Sequence, residues 1–361
     1  MAPAPRFHQL QIRDLRRETA DAVSIAFSVP EALKETFAFT PGQYLTVRTV
    51  MDGEEVRRSY SISSGLDDGE LRIAVKRVDG GAFSSFANAG LKPGDVVDVM
   101  PPMGRFTHAP APAVKKTYVG FACGSGITPV ISIIRTVLAR EPESRFFLFY
   151  GNRATGSIIF REALEDLKDR HLDRLSVFHV LSRETQDISI LNGRLDGDKA
   201  KLLIAAMVPG GVDEAFVCGP AGMLDSVEAA LLASGLPRAA VHVERFTPAD
   251  GAVATAPRRP ATVIAAEAPK AVATIVVDGI RTDVPVAEGE AVIDAALRAG
   301  LDLPYSCKGG MCCTCRAKVT EGAVVMDVNY SLQPWELEAG FVLTCQAKPT
   351  TERVTVDYDA M

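Results

Sequence analysis

SCKGGMCCTCRAKV, residues 306–319, carries three cysteines at a spacing that few chemistries require. Four residues separate Cys307 from Cys312, two separate Cys312 from Cys315, and Cys345 follows in VLTCQ after a gap of 29. C-x4-C-x2-C…C is the ligand spacing of a plant-type [2Fe-2S] cluster. Three thiolates must converge from one tight loop, and a fourth must arrive from a distant strand. Gly309 and Gly310 supply backbone freedom there and let main-chain N–H groups come close to sulfur. Zinc also accepts four thiolates, but its structural sites usually pair two short Cys-x2-Cys knuckles, and this segment has one. A Rieske centre fails on ligand type, since none of the five histidines lies in this region. Cys313 fits no ligand position and reads as a small residue packed beside the cluster. Of seven cysteines only Cys123 and Cys218 stand elsewhere, and such clustering points to metal rather than disulfides.

Around this loop the text divides into parts. Residues 271–361 open with a hairpin pattern (ATIVVDGIRTDVPV) and a helix around Ala291–Ala299 that stops at Gly300, so they read as a [2Fe-2S] ferredoxin domain of β-grasp-like form. Residues 249–270, rich in Ala, Pro and Thr and without period, read as a semi-extended linker. In residues 113–248 the runs YVGFA, FFLFYG, LSVFHVLS, EAFVCG and AVHVERF alternate with amphipathic stretches. That pattern predicts a doubly wound parallel α/β domain. In residues 1–112 the runs SIAFSV, QYLTVRTV, LRIAVKRV and DVVDVM are punctuated by PGQ, MDGEE, VDGG and KPGD. Evenly spaced strands of this kind predict an antiparallel β-barrel.

The 361 residues are 47% hydrophobic, ample for packed cores. No run approaches 18 apolar residues and MAPAPRFHQL shows no signal peptide, so the expectation is a cytoplasmic protein without a membrane span. Charge is uneven. Residues from Ala271 to Met361 hold 13 Asp+Glu against 7 Lys+Arg and carry the entire net charge of -6, while the first 270 hold 32 of each sign. Two readings stay open, an ordinary solvated surface or an acidic module that docks on a basic partner face. No basic stripe points to nucleic acid.

RRSYSI (57–62) closes a barrel strand. Alternation sends Arg58 and Tyr60 to one side, where an arginine can neutralise a flavin pyrophosphate and a tyrosine can lie on the isoalloxazine, with Ser61 at the ring edge; an exposed strand arginine beside a core tyrosine is the alternative. Gly81 and Ser84 in GGAFS open a helix and suit a phosphate-binding turn; a plain hairpin turn is the alternative. Gly124, Gly126 and Thr128 in GSGITP stand between a strand and a helix, where a parallel sheet presents a pyrophosphate site. Arg153 after the second strand, with Ser182 and Arg183 after the third, favours a 2′-phosphate and hence NADPH; either arginine also reads as a surface ion pair. Cys218 ends the fourth strand, which would set its thiol beside the nicotinamide; a buried structural cysteine is the alternative.

Taken in order, Arg58-x-Tyr60-Ser61, GGAFS, CGSGITP, YGNR, SRE and VCGPAGM resemble the ferredoxin–NADP reductase superfamily, and the order of parts resembles its bacterial oxygenase reductases. SCKGGMCCTCRAKV and NYSLQPWELEAGFVLTCQ resemble, more narrowly, reductase subunits of phenylacetyl-CoA epoxidases. The resemblance implies FAD, NADPH and a [2Fe-2S] cluster, with electrons delivered to a di-iron oxygenase subunit. It implies flavin contacts at Arg58, Tyr60, Ser61, Gly81 and Ser84, and nicotinamide contacts at Gly124, Gly126, Thr128, Arg153, Ser182, Arg183 and Cys218. An aromatic near the flavin falls on Phe246, and cluster ligation on Cys307, Cys312, Cys315 and Cys345. Tyr60, Ser61 and Cys218 are the residues expected nearest the reacting rings. Alternatives are the reductase of another aromatic-ring mono- or dioxygenase, and a zinc-stabilised nucleotide-sensing module. The linker is expected to let the acidic domain alternate between its own flavin and an outside acceptor.

Overall fold

The computed structural model describes residues 5–51, 53–246 and 270–360. The chain divides into two compact units, one of His8–Ala249 and one of Asp250–Met361 with Met1–Phe7. Apart from Lys270, the expected linker at 249–270 lies outside the described residues.

The first unit starts with β1 (His8–Thr19), β2 (Ala22–Ser28), β3 (Tyr44–Met51), β4 (Glu54–Ser61), β5 (Leu71–Lys76), helix α1 (Ala82–Ala89) and β6 (Val96–Val99). These strands form an antiparallel sheet in the order β4-β3-β6-β1-β2-β5. A bridge between Ile62 and Ile73 joins its two ends and curls it into the expected barrel. Alternating residues such as Leu10, Ile12, Val23 and Ile25 fill the core, to which α1 adds Phe83 and Ala87.

A wholly parallel sheet follows, made of β7 (Thr117–Cys123), β8 (Arg145–Asn152), β9 (Leu175–Leu181), β10 (Glu214–Gly219) and β11 (Val241–Arg245). Its strands read as continuous apolar runs because both faces are covered. Helices α2 (Ile127–Arg140) and α3 (Arg161–Arg170) share one core with Phe146, Leu148 and Phe216. Helices α4 (Gly197–Met207) and α5 (Ala221–Ala233) share the other with Phe121, Phe149 and Val217. The order β11-β10-β7-β8-β9 sets the first and fourth strands side by side. Their connections leave in opposite directions, which opens a crevice at their carboxyl ends.

Barrel and sheet are joined along α2. Ser132 Oγ donates to Ser64 O at 2.7 Å, and Arg140 meets Asp67 through Nε and Nη2, both at 2.9 Å. At the end of α2, Glu141 is fully buried and accepts from His108 Nε2 and Tyr118 OH, each at 2.8 Å, and from Ala111 N at 3.2 Å. His108 belongs to the segment leaving the barrel and Tyr118 to β7, so one carboxylate ties the two parts together. Burial alone would raise its pKa; the hydrogen bonds from His108, Tyr118, Ser144 and Ala111 outweigh it and hold the carboxyl below its ordinary 4.5.

The second unit contains β12 (Ala271–Val277), β13 (Ile280–Val286), α6 (Val292–Arg298), β14 (Arg316–Glu321), β15 (Val324–Met326), α7 (Pro334–Glu338), β16 (Phe341–Leu343), β17 (Ala347–Pro349) and β18 (Arg353–Asp357). Its mixed sheet runs β13-β12-β18-β14-β16, with β12 and β18 parallel, and β15 pairs with β17. The hairpin turns on Asp278-Gly279, both at positive φ, as a two-residue turn of this twist requires. Helix α6 lays Val292, Ile293, Ala295 and Ala296 on the sheet. Among the described residues no helix is long and apolar enough to cross a membrane.

Because the folded pKa of Glu141 is depressed, its contribution to stability is present above pH 4.5 and is lost as pH falls through the folded value. Glu141→Gln is expected to lower stability at pH 7 by about 2–4 kcal/mol, since His108 and Tyr118 lose their charged acceptor. Melts of wild type and variant should converge below pH 4.5; a gap that stayed constant with pH would contradict this role.

Candidate functional site

The cysteine loop lies between α6 and β14, with Lys308, Gly310 and Cys313 at positive φ. Folding back so sharply turns N–H groups inward: Gly309 N and Cys312 N point at Cys307 Sγ, at 3.3 and 3.4 Å, and Cys307 N points at Cys312 Sγ at 3.5 Å. From β16 onward the chain returns. Thr344 N and Oγ1 both donate to Cys315 O, at 3.1 and 2.9 Å, and Gln346 Nε2 lies 3.6 Å from Cys345 Sγ and 3.0 Å from Lys308 O. Tyr358 OH supports Thr344 Oγ1 at 2.7 Å.

Among the described residues no three ligating side chains gather round one point. The four thiols come as two hydrogen-bonded pairs, Cys307 with Cys312 and Cys315 with Cys345. A hydrogen bond from Cys312 and the loop N–H groups hold Cys307 well below the usual thiol range against its burial, and Cys345 is lowered in the same way by Cys315. The donor of each pair, Cys312 or Cys315, is pushed up. Two thiolates per iron is the donor set of a two-iron cluster, whose binding displaces the shared protons, so these residues fit the group. Cys313 is half-buried at the edge of the core, outside either pair.

In the first unit, a cleft of about 780 Å³ opens at the carboxyl ends of β7 and β10. Gly124 takes φ +55°, and a Cβ on Gly126 would stand 2.1 Å from Cys218 O, so the turn crosses the fourth strand at a distance that only glycine permits. Tyr150 OH holds Gly124 O at 2.9 Å, and Thr128 Oγ1 holds Ser125 O at 2.9 Å. Of the expected nicotinamide residues, Gly124, Gly126, Arg153 and Ser182 line the cleft, and Phe246, expected near the flavin, lines it too. Thr128 is buried beneath the turn, and Arg183 is exposed beside the cleft with its N bonded to Arg153 O at 2.8 Å.

The expectation for the Cys218 thiol is corrected. Alternation along β10 sends it, with Phe216, into the fully buried core under α2, and burial drives its pKa well above 9.0. Cys123 lines the cleft instead, its thiol pushed up to about 12 by burial. Lys76, Asn152, Arg194 and Met223 line it as well; Asn152 stands in YGNR and Met223 in VCGPAGM without being among the expected residues, and no motif marks Lys76 or Arg194. Asn152 also has a positional signal, since it ends the second strand, where such sheets bind ribose.

At the barrel, Arg58 stands opposite Val47 and Tyr60 opposite Leu45, on one side of β4. Arg58 is exposed, with Nη1 turned to Arg57 O at 2.7 Å, while Ser61 is buried. The Tyr60 ring lies 5.5 Å from that of Phe83, so the strand motif and the GGAFS turn come together. Ser84 Oγ accepts from Val78 N at 3.1 Å and donates to Gly81 O at 3.2 Å, and a Cβ on Gly81 would stand 2.5 Å from it. The Ser84 hydroxyl therefore locks the turn, leaving the first N–H groups of α1 as the natural anion donors.

Three family models match the chain in this order: an oxidoreductase FAD-binding domain over residues 9–108, an oxidoreductase NAD-binding domain over 121–229, and a 2Fe-2S iron-sulfur cluster binding domain over 275–350. The last sets the zinc alternative aside. The chain is 45% identical to one of the subunits of the 1,2-phenylacetyl-CoA epoxidase of Escherichia coli K12, over 98% of both chains. It is 36% identical to the ferredoxin reductase component of 3-ketosteroid-9-alpha-monooxygenase from Rhodococcus rhodochrous, over 97% of this chain and 96% of that one. Among solved structures, phthalate dioxygenase reductase shares the fold at a TM-score of 0.58 and 22% identity, over 97% of this chain and 98% of its own.

Cys345→Ser is expected to abolish the visible absorbance of the cluster and Cys313→Ser to keep it, with iron and acid-labile sulfide assays as the check. Gly126→Ala is expected to weaken nicotinamide nucleotide binding at least about tenfold while leaving the cluster spectrum unchanged, because the turn must move off Cys218 O.

Proposed function

Because this chain belongs to the oxygenase-reductase branch of the ferredoxin–NADP reductase superfamily, the branch that ends in a plant-type [2Fe-2S] domain, we propose that it carries electrons from NADPH to the di-iron subunit of a phenylacetyl-CoA 1,2-epoxidase. The general part is established: it is an oxidoreductase, the reductase component of an oxygenase system, with FAD, NAD(P) and [2Fe-2S] domains. The observation that carries the specific part is 45% identity across 98% of both chains with a component of that epoxidase. Full-length similarity to a steroid monooxygenase reductase at 36% keeps a second reading, service to another oxygenase.

A nicotinamide gives up two electrons as hydride and a cluster of this type accepts one, so a flavin, which does both, belongs between them. The chain's own residues supply position and charge. Arg58, Tyr60 and Ser61, with Gly81 and the start of α1, would hold the flavin. Cys307, Cys312, Cys315 and Cys345 would hold the cluster. NADPH is favoured over NADH by the basic cleft wall, which Arg153 and Arg194 line together with Ser182, and by the second strand ending in Asn152 rather than an acid. Asp196, which also lines the cleft, is engaged as the N-cap of α4, accepting from Lys199 N at 2.9 Å. Cysteines used as metal ligands fit a reducing compartment, which supports the cytoplasm as the setting of the reaction.

The test is NADPH oxidation coupled to phenylacetyl-CoA conversion by purified epoxidase subunits. Product should require this chain, and Arg153→Ala should raise the KM for NADPH about tenfold or more while leaving that for NADH unchanged. Product formation no greater than in a control lacking the chain would rule out the epoxidase; equal loss with both nucleotides would rule out the 2′-phosphate role.

A further inference from the structure

Helix α7 has five residues, Pro334–Glu338, too few to hold itself in water. It is fastened to the cluster loop instead. Glu336, fully buried, accepts from Arg316 Nε at 2.7 Å and from Gln333 N at 2.9 Å. Arg316 directly follows Cys315, and its guanidinium lies 3.5 Å from the centre of the Phe341 ring. Just before the helix, Tyr330 N and Ser331 Oγ both donate to Gly310 O, inside the loop that joins Cys307 to Cys312. A rigid platform thus adjoins the ligand loop through Gly310 and through Arg316.

The platform displays apolar groups. On either side of the buried Glu336, Trp335 is 58% exposed and Leu337 44% exposed. Trp335 is the chain's single tryptophan. A large aromatic more than half exposed on an anchored helix suits an interface centre, where such residues carry most of the binding energy.

We propose that α7, through Trp335, is the docking point for the oxygenase subunit that takes the electron, and that this subunit offers an apolar pocket rimmed by Lys and Arg. Three observations favour this occupant. The chain is the reductase component of an oxygenase system, so a separate protein must approach the cluster closely, because electron transfer weakens steeply with distance. The platform is bonded to the cluster loop itself. The whole net charge of -6 lies in residues 271–361, with Glu338 exposed on α7, so a basic rim is complementary. The proposal rests on the epoxidase reading for the identity of the subunit.

The experiment uses the full chain loaded with FAD and cluster, and purified epoxidase subunits. Trp335→Ala should raise the KM for the oxygenase at least about tenfold, with kcat at saturating oxygenase nearly kept. Trp335→Phe should recover most of the loss, Leu337→Ala should give a smaller rise, and added salt should weaken docking of the wild type. The visible spectrum and the rate of cluster bleaching after mixing with NADPH should not change. An unchanged KM in both Trp335→Ala and Leu337→Ala would overturn the proposal. Slowed bleaching in Trp335→Ala would assign the residue to electron transfer within the chain and overturn it as well. Failure of the wild type itself to drive epoxidation would be a different result, removing the named partner and this docking site with it.

Discussion

Sulfur charge has to be held where water is scarce, and that constraint shapes the second unit. Cys315 and Cys345 are buried and Cys307 and Cys312 half-buried, so their negative charge depends on hydrogen-bond donors that the fold brings to them. The loop supplies these from its own backbone, which is why it takes positive φ at Lys308, Gly310 and Cys313. Such conformations cost energy at the two non-glycine positions and persist only where surrounding structure fixes them. Gln346, Thr344 and Tyr358 provide that fixing from the returning strand. The sheet, the helix across it and the late strands place one remote cysteine against one tight loop.

The first unit solves a similar problem by a different route. A bound pyrophosphate needs N–H groups brought close, and a side chain on the turn would hold the backbone away. At Gly126 the neighbour is the carbonyl of Cys218, a rigid strand atom with no room to yield. Removing the Cβ there lets α2 start directly over the junction of β7 and β10, and α2 also carries the contacts with Ser64 and Asp67 that fasten the barrel. One helix therefore sets both the nucleotide turn and the bearing of the barrel on the sheet. Glu141 closes the far end of that helix, so a local carboxylate governs a long-range alignment.

Which features are legible in the sequence follows from how far apart the interacting residues lie. Cysteine spacing, the Asp278-Gly279 hairpin and the apolar runs of the parallel sheet are local patterns, and the architecture follows from them. The position of Cys218 at a strand end does not say which face its side chain takes; the neighbours of Phe216 decide that, and they put the thiol in the core. Ser84 reads in the sequence as part of a phosphate-binding turn, whereas its hydroxyl is used by Val78 and Gly81, a closure visible only once the turn is built. Lys76 and Arg194 reach the cleft from a barrel strand and from the loop before α4, and no short motif spans those distances. Pairing of the thiols as 307 with 312 and 315 with 345 likewise depends on the path of the returning strand.

The ion pair between Arg316 and Glu336 is not explained by stability. Taking two charges out of water costs several kcal/mol, and an apolar pair of the same volume often serves as well or better. What an apolar pair lacks is direction. The Glu336 carboxylate bonds Arg316 with one oxygen and the start of α7 with the other, so the helix can take only one rotation about its axis. Arg316 is in turn fixed by the Phe341 ring and by its place next to Cys315. A greasy contact would let a five-residue helix roll; a doubly engaged carboxylate does not. The buried charge thus sets the orientation of Trp335 and Leu337 relative to the ligand loop, which is the property a surface next to an electron-transfer centre has to preserve.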